Sequence, residues 1–152
     1  MARVAIALGS NLGDRERFLV DGAATLGTVL QDLAVSSAHE TAYVGAGPAQ
    51  PAYLNAVAVG DCTLTARALL QFLLDTERRF GRARPYPDSP RTLDLDLILF
   101  GADIVDEPDL VVPHPRFRRR RFVLEPLAEV AADWVDPVTG RTVEELLRVL
   151  DA

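Results

Sequence analysis

A chain of 152 residues, 49% hydrophobic and 25% charged, has enough apolar material for one well-filled core and too little for two, so a single domain over residues 1–152 is expected. The net charge of −6 argues against general nucleic-acid affinity, and with no run near the roughly 20 apolar residues of a membrane span and no leader pattern at its start, the chain reads as cytoplasmic. All sixteen basic residues are arginine, which excludes P-loop, protein-kinase and Schiff-base chemistry, while the lone Cys62 excludes an internal disulfide or a cysteine-rich zinc site.

Val4 to Leu8 is a short apolar run ending in GSNLGD, so strand, turn and helix are expected in that order. Residues 16–30 place Phe18, Leu19, Ala23, Leu26 and Leu30 near one helical stripe, with glycines at 22 and 27. A second strand is expected over residues 34–41, and a loop over residues 45–51, where glycine and proline are dense. The alternation of residues 53–62 predicts a third strand, and residues 65–80 an amphipathic helix closed by Gly81. Residues 81–89, GRARPYPDS, lack periodicity and predict a mobile active-site loop leading through Pro90 into a fourth strand. A hairpin or turn over residues 101–108, the segment VVPHP, an arginine run at 116 and 118–121, and a helical stretch over residues 122–130 interrupted at Pro126 follow. Thr142 with Glu145 three residues later is a capping box for a final helix through Leu150. The order β-α-β-β-α-β predicts an α+β fold, a ferredoxin-like α/β sandwich with a largely antiparallel sheet and helices packed on its faces.

The fourth strand, RTLDLDLILF over residues 91–100, carries two acids where a buried strand is apolar. Alternation sends Asp94 and Asp96 to one face and Leu93, Leu95 and Leu97 to the other, with the two acids about 7 Å apart at Cα. Such a pair can converge on hard cations, and magnesium with phosphate ligands is a natural counter-charge. On alternation alone, the acids equally suit a strand that faces water or pairs with arginines. Without lysine, phosphate binding falls to arginine forks, backbone amides, histidine and metal. Tyr53 and Asn55 share a strand face by the same period of two, so they can contact one ligand together.

The pieces AIALGSNLGD, QPAYLNAV, PRTLDLDLILF and VPHPRFRRRRFVLEPLAEVA together resemble the 6-hydroxymethyl-7,8-dihydropterin pyrophosphokinase family over nearly the whole chain. The resemblance implies transfer of diphosphate from ATP to the pterin hydroxymethyl group, leaving AMP. It implies two Mg2+ ions held by Asp94 and Asp96, small-molecule substrates with no nucleic-acid or membrane partner, and a monomer. By the same resemblance, Arg82 and Arg91 join the two acids as catalytic residues, and Glu77, Arg82, Arg84, Arg91, Leu97, His114 and Arg120 bind ATP. Tyr53 and Phe122 stack on the pterin, Asn55 hydrogen-bonds its edge, and Thr41 and Val44 read the ring through their backbone. Asn11 matches the family's SNL motif and Glu77 a position near nucleotide; an ordinary turn residue and an exposed helix-face glutamate would look the same.

Two departures from the family pattern stand out: Asp88 and Ser89 before PR, and Arg119 and Arg121 in the arginine run. Two rival classes use the same residues. A metal-dependent nuclease or nucleotidyl transferase would need the acidic pair, and an arginine-patch binding module would need no metal.

Overall fold

The computed structural model describes residues 1–42, 50–81 and 92–151. β1 (Ala2–Ser10) leads through α1 (Arg15–Leu26) to β2 (Leu30–Val35) and β3 (His39–Thr41), followed by β4 (Tyr53–Cys62), α2 (Ala66–Arg79) and β5 (Asp94–Phe100). A hairpin of β6 (Val105–Glu107) and β7 (Leu110–Val112), a 3-10 turn Phe117–Arg119, α3 (Arg121–Ala131) and α4 (Val143–Asp151) complete the described chain. The main sheet has the order β2-β4-β1-β5, with β3 also alongside β4, and its pairings are antiparallel. Counting β2 and β3 as one interrupted strand gives the ferredoxin-like β-α-β-β-α-β arrangement that the sequence predicts.

Helices cover both faces of the sheet. Val4, Ile6 and Leu8 of β1 pack with Leu19 and Leu26 of α1 and Leu69 and Leu73 of α2. On the other face, Ala5, Val57 and Leu99 pack with Leu124 and Leu127 of α3 and Leu146 of α4. Full burial of each such leucine contributes about 2 kcal/mol, and burial on both faces explains the near-continuous apolar character of β1 and β4.

Local chemistry sets the boundaries. Asp14 caps α1 by accepting the Arg17 N–H at 3.2 Å, Thr65 caps α2 through Ala68 N at 3.1 Å, and Gly81 follows α2 at φ 81°. The capping box forms as expected, with Thr142 N reaching Glu145 Oε1 at 3.1 Å and Glu145 N reaching Thr142 Oγ1 at 3.2 Å.

Several boundaries differ from the sequence expectation: the fourth strand begins at Asp94, and the hairpin expected over residues 101–108 pairs Val105–Glu107 with Leu110–Val112. The first helix ends at Leu26 rather than Leu30, because weak helix formers at 27–29 stop it and Leu30 pairs with Cys62 as the start of β2. The strand expected over residues 34–41 is two strands, separated where Ser36 replaces the ladder by accepting Val57 N on its hydroxyl at 2.9 Å. A bulge in β2, with Asp32 at φ 53°, passes over Gly60, where a Cβ would lie 2.9 Å from Gln31 O. Pro126 does not interrupt α3, which runs through it from Arg121 to Ala131; the N–H it lacks would have bonded the Phe122 carbonyl near the start of the helix.

Candidate active site

One row of residues crosses the sheet and forms the floor of a cleft. Gly9 of β1 lies opposite Asp94 of β5 on one side and Asn55 of β4 on the other, and Asn55 lies opposite His39 of β3. One step along β1, Ala7 lies opposite Asp96. The small residues of β1 leave space above the floor, while Leu95 and Leu97 turn into the core beneath, as alternation predicts. A bulge at Ile98 puts both Ile98 and Leu99 on the same face as the acids, under α3 and α4.

Asn55 is buried and aimed by its neighbours: its Nδ2 donates to Thr41 Oγ1 at 2.8 Å and to His39 O at 3.3 Å, so the amide oxygen is what it presents over Gly9. Tyr53, Thr41, Phe122 and Arg120 join Asn55 and the acids around this first cleft of about 680 Å³. Phe122 is 38% exposed, which sets it apart from the core that its sequence context suits equally well.

A second cleft of about 400 Å³ opens on the other side of the acids. Leu70, Leu74 and Glu77 of α2, Leu97 of β5 and Leu110 and Val111 of β7 line it. The two clefts share Asp94, Asp96 and His114. Among the described residues no third histidine, cysteine or acid completes a metal cluster with the aspartates. Two carboxylates with space on both sides fit a hard cation that takes its other ligands from substrate oxygen and water, which is how magnesium is held beside phosphates. Nothing in this arrangement suits a soft metal.

His114 is pushed down to about 4 by burial and by the positive charges of Arg120 and Arg116, against an opposing pull from Asp94. It is therefore neutral at pH 7. Its Nδ1 accepts the Arg116 N–H at 3.2 Å, which leaves Nε2–H as a donor.

The family model described as "7,8-dihydro-6-hydroxymethylpterin-pyrophosphokinase (HPPK)" matches residues 5–132. The chain belongs to the HPPK family. It is 47% identical over 105 residues to the 2-amino-4-hydroxy-6-hydroxymethyldihydropteridine pyrophosphokinase of Synechocystis sp., a match that covers 69% of this chain and 54% of that protein. To the Bacillus subtilis protein of the same name it is 41% identical over 147 residues, 95% of this chain and 87% of that one. The chain thus spans about half the length of the Synechocystis relative and most of the Bacillus one. The solved structure of Plasmodium falciparum HPPK-DHPS matches the fold with a TM-score of 0.76 at 12% identity, over 97% of this chain and 44% of that one. Among the described residues, no helix is long and apolar enough to cross a membrane.

Within this HPPK fold the arginine run divides by partner. Arg118 makes a bidentate pair with the fully buried Asp136, with Nε to Oδ2 at 2.5 Å and Nη2 to Oδ1 at 2.9 Å. Arg121 pairs with Glu125 at 2.9 Å and with Asp151 at the end of α4, which accounts for one departure from the family pattern, and Arg119 faces solvent. Arg116 and Arg120 remain at the first cleft, Arg120 with its guanidinium 5.4 Å from the Phe122 ring centre. Two arginines that line the cleft are thereby separated from two structural ones, and the reading as a general arginine patch loses its basis. The acidic pair is that of an HPPK chain, which removes the support for a nuclease.

Two sequence assignments change character. Glu77 is no exposed helix-face residue: it is 2% exposed and accepts the Leu95 N–H on Oε2 at 2.7 Å. Asn11 is fully buried and donates to Gln50 Oε1 at 3.0 Å and Pro51 O at 3.3 Å, so it holds the segment that leads into Tyr53. Val44, Arg82, Arg84 and Arg91, and the departures Asp88 and Ser89, lie outside the described residues.

Sequence reasoning missed Arg116 and the cluster of His39, Ser37 and Glu129. Ser37 donates both N–H and Oγ–H to Glu129 at 2.9 Å and His39 Nε2 meets the same carboxylate, which ties β3, bearing Thr41, to α3, bearing Phe122. The partners lie about ninety residues apart in the chain, beyond the reach of any local pattern.

Proposed function

We propose that the chain transfers the diphosphoryl group of ATP to the hydroxymethyl oxygen of 6-hydroxymethyl-7,8-dihydropterin, giving the pterin diphosphate and AMP for folate synthesis. The observation that carries this reading is the meeting of two clefts at Asp94, Asp96 and His114. One cleft has an aromatic and amide lining suited to a flat heterocycle, and the other has a wall of leucines from α2, β5 and β7 beside its acids, suited to a nucleotide base. A reaction that joins two substrates needs such a junction.

In this reading the pterin lies between Tyr53 and Phe122 with its edge on Asn55 and Thr41, and ATP enters beside Leu97 and Glu77. The hydroxymethyl oxygen forms a bond to the β-phosphorus as its proton passes to solvent water, while the bond to the α–β bridging oxygen breaks and that oxygen leaves on AMP carrying the bond's electron pair. Asp94 and Asp96 would hold two Mg2+ ions, which supply phosphate neutralisation and acidify the attacking hydroxyl when bound. Arg120 opposes charge on the phosphates from the first cleft, with Arg116 beside it. Neutral His114 offers its Nε2–H to a phosphate oxygen and is unsuited to act as a base at neutral pH. Arg82, Arg84 and Arg91 are assigned to the same phosphates from the sequence, Arg82 and Arg91 as catalytic groups, and Val44 to the pterin. Both clefts belong to one chain, which supports a monomer with residues 1–152 as one pyrophosphokinase domain, and ATP as donor supports action in the cytoplasm.

The deciding experiment incubates the protein with Mg2+, ATP and the reduced pterin and separates the nucleotides. AMP formed only with the pterin is the expected result. Accumulation of ADP, or AMP formed without the pterin, would overturn the assignment.

A further inference from the structure

We propose that Glu77 is a positioning residue for the acidic pair: by accepting the Leu95 N–H it fixes the peptide unit between Asp94 and Asp96, and so the geometry in which the two carboxylates meet a divalent cation. The proposal rests on the function above only for the identity of the reaction.

Among the described residues β5 is an edge strand of the main sheet, so alternate backbone groups along it have no strand partner there. At Leu95 that place is taken by a carboxyl oxygen from α2, at 2.7 Å. The side chain involved is 2% exposed and lines the same cleft as the two aspartates. Burying a carboxyl there costs far more than burying a leucine of similar reach, so packing alone does not explain it. A second link lies three residues earlier, where Thr92 Oγ1 donates to Phe80 O at 2.5 Å. The last turns of α2 therefore hold the chain on both sides of Asp94. The peptide plane at Leu95 sets the directions in which the side chains on either side of it leave the strand. Freed at that point, an edge strand can twist, and the separation of the two carboxylates with it. This role differs from direct contact with the nucleotide, which the place of Glu77 on the second cleft would equally suggest.

The test uses Mn2+ as probe, with binding to the folded protein measured from the loss of the free-ion paramagnetic resonance signal. Three proteins are compared with the parent chain: Glu77→Ala, a semisynthetic chain in which the Leu95 amide is replaced by an ester that lacks the N–H, and the two changes combined. Each single change is expected to weaken Mn2+ binding about tenfold, the scale of a hydrogen bond to a charged group, and the combination no more than the stronger single change. Pterin affinity should stay within about twofold, because Tyr53 and Asn55 stand on β4. If Glu77→Ala does not fold, the ester chain keeps Glu77 and tests the same bond. Unchanged Mn2+ affinity in the folded ester chain, or losses that add in the combined protein, would overturn the proposal. Failure of AMP formation would strike the proposed function and leave this measurement standing.

Discussion

Asp94 and Asn55 stand in one row of the sheet with only Gly9 between them, two strand spacings or about 10 Å apart. The spacing of the amide and the carboxylate across the cleft floor is thus set by register, not by loops. The space over Gly9 is what makes the row usable. A Cβ there would lie 3.6 Å from both Asn55 Oδ1 and the Tyr53 ring, an ordinary contact, but the branches of a valine would fill the floor. Gly9→Val is expected to fold, to lose pterin affinity by more than about tenfold, and to keep ATP affinity, as measured by calorimetric titration of each ligand. Equal loss of both affinities would show that the floor does not separate the two substrates.

Asp96→Ala should leave the fold intact and abolish turnover. It removes one of two carboxylates with no third acid or histidine in a metal cluster among the described residues, and it relieves charge crowding on β5. Circular dichroism and AMP formation measure the two effects separately. Near-normal turnover would remove Asp96 from any metal role.

Phe122→Ala is expected to weaken pterin binding by about 1 to 2 kcal/mol while ATP binding changes little and stability falls by about 1 kcal/mol or less, since the ring is 38% exposed in the free protein. Titration of both ligands against the variant, with thermal unfolding alongside, checks this. An unchanged pterin affinity would mean that the ring serves only as a partner for Arg120.

The facing of Asp94 and Asp96, the shared face of Tyr53 and Asn55, and the capping box at Thr142 follow from local period and spacing, and all three were legible in the sequence. The break between β2 and β3 was not, because a serine hydroxyl replaces one rung of the ladder there and polarity alone does not signal it. Nor could the arginine run be sorted: Arg118 is structural because of Asp136, eighteen residues downstream, and Arg121 because of Asp151, thirty downstream. Glu77 shows the same limit in reverse, since a glutamate near a helix end reads as surface until the edge strand that needs its oxygen is in place.

Asp136 carries the loop between α3 and α4 as well as Arg118. It accepts Val138 N at 3.1 Å and Thr139 Oγ1 at 2.7 Å. Burial pushes its carboxyl up, but the bonds from Arg118, Thr139 and Val138 outweigh this and hold it below the ordinary carboxylate value. A depressed folded value means that the stabilisation is present above the unfolded pKa and is lost as pH falls through the folded one. Asp136→Asn should cost about 3 kcal/mol at pH 7, leaving Arg118 poorly compensated, and the gap in Tm from the parent chain should narrow as pH falls below about 4. A gap that stays constant into acid would place the loss in packing instead of charge.

His114 gives the opposite test of pH at the junction of the clefts. Its folded value of about 4 lies below the 6.5 of an unperturbed histidine, so between these two pH values the unfolded chain binds the extra proton and the folded chain does not. Stability must then rise with pH across that interval, and acid must cost the folded state a term that is absent at pH 7. His114→Gln, which keeps an amide donor and cannot titrate, should flatten the slope of unfolding free energy against pH between about 4 and 6.5 while leaving the slope above 7 unchanged. Denaturant unfolding at a series of pH values measures both slopes. An unaltered slope in the variant would mean that His114 titrates normally and that the burial and the charges of Arg116 and Arg120 do not hold it neutral.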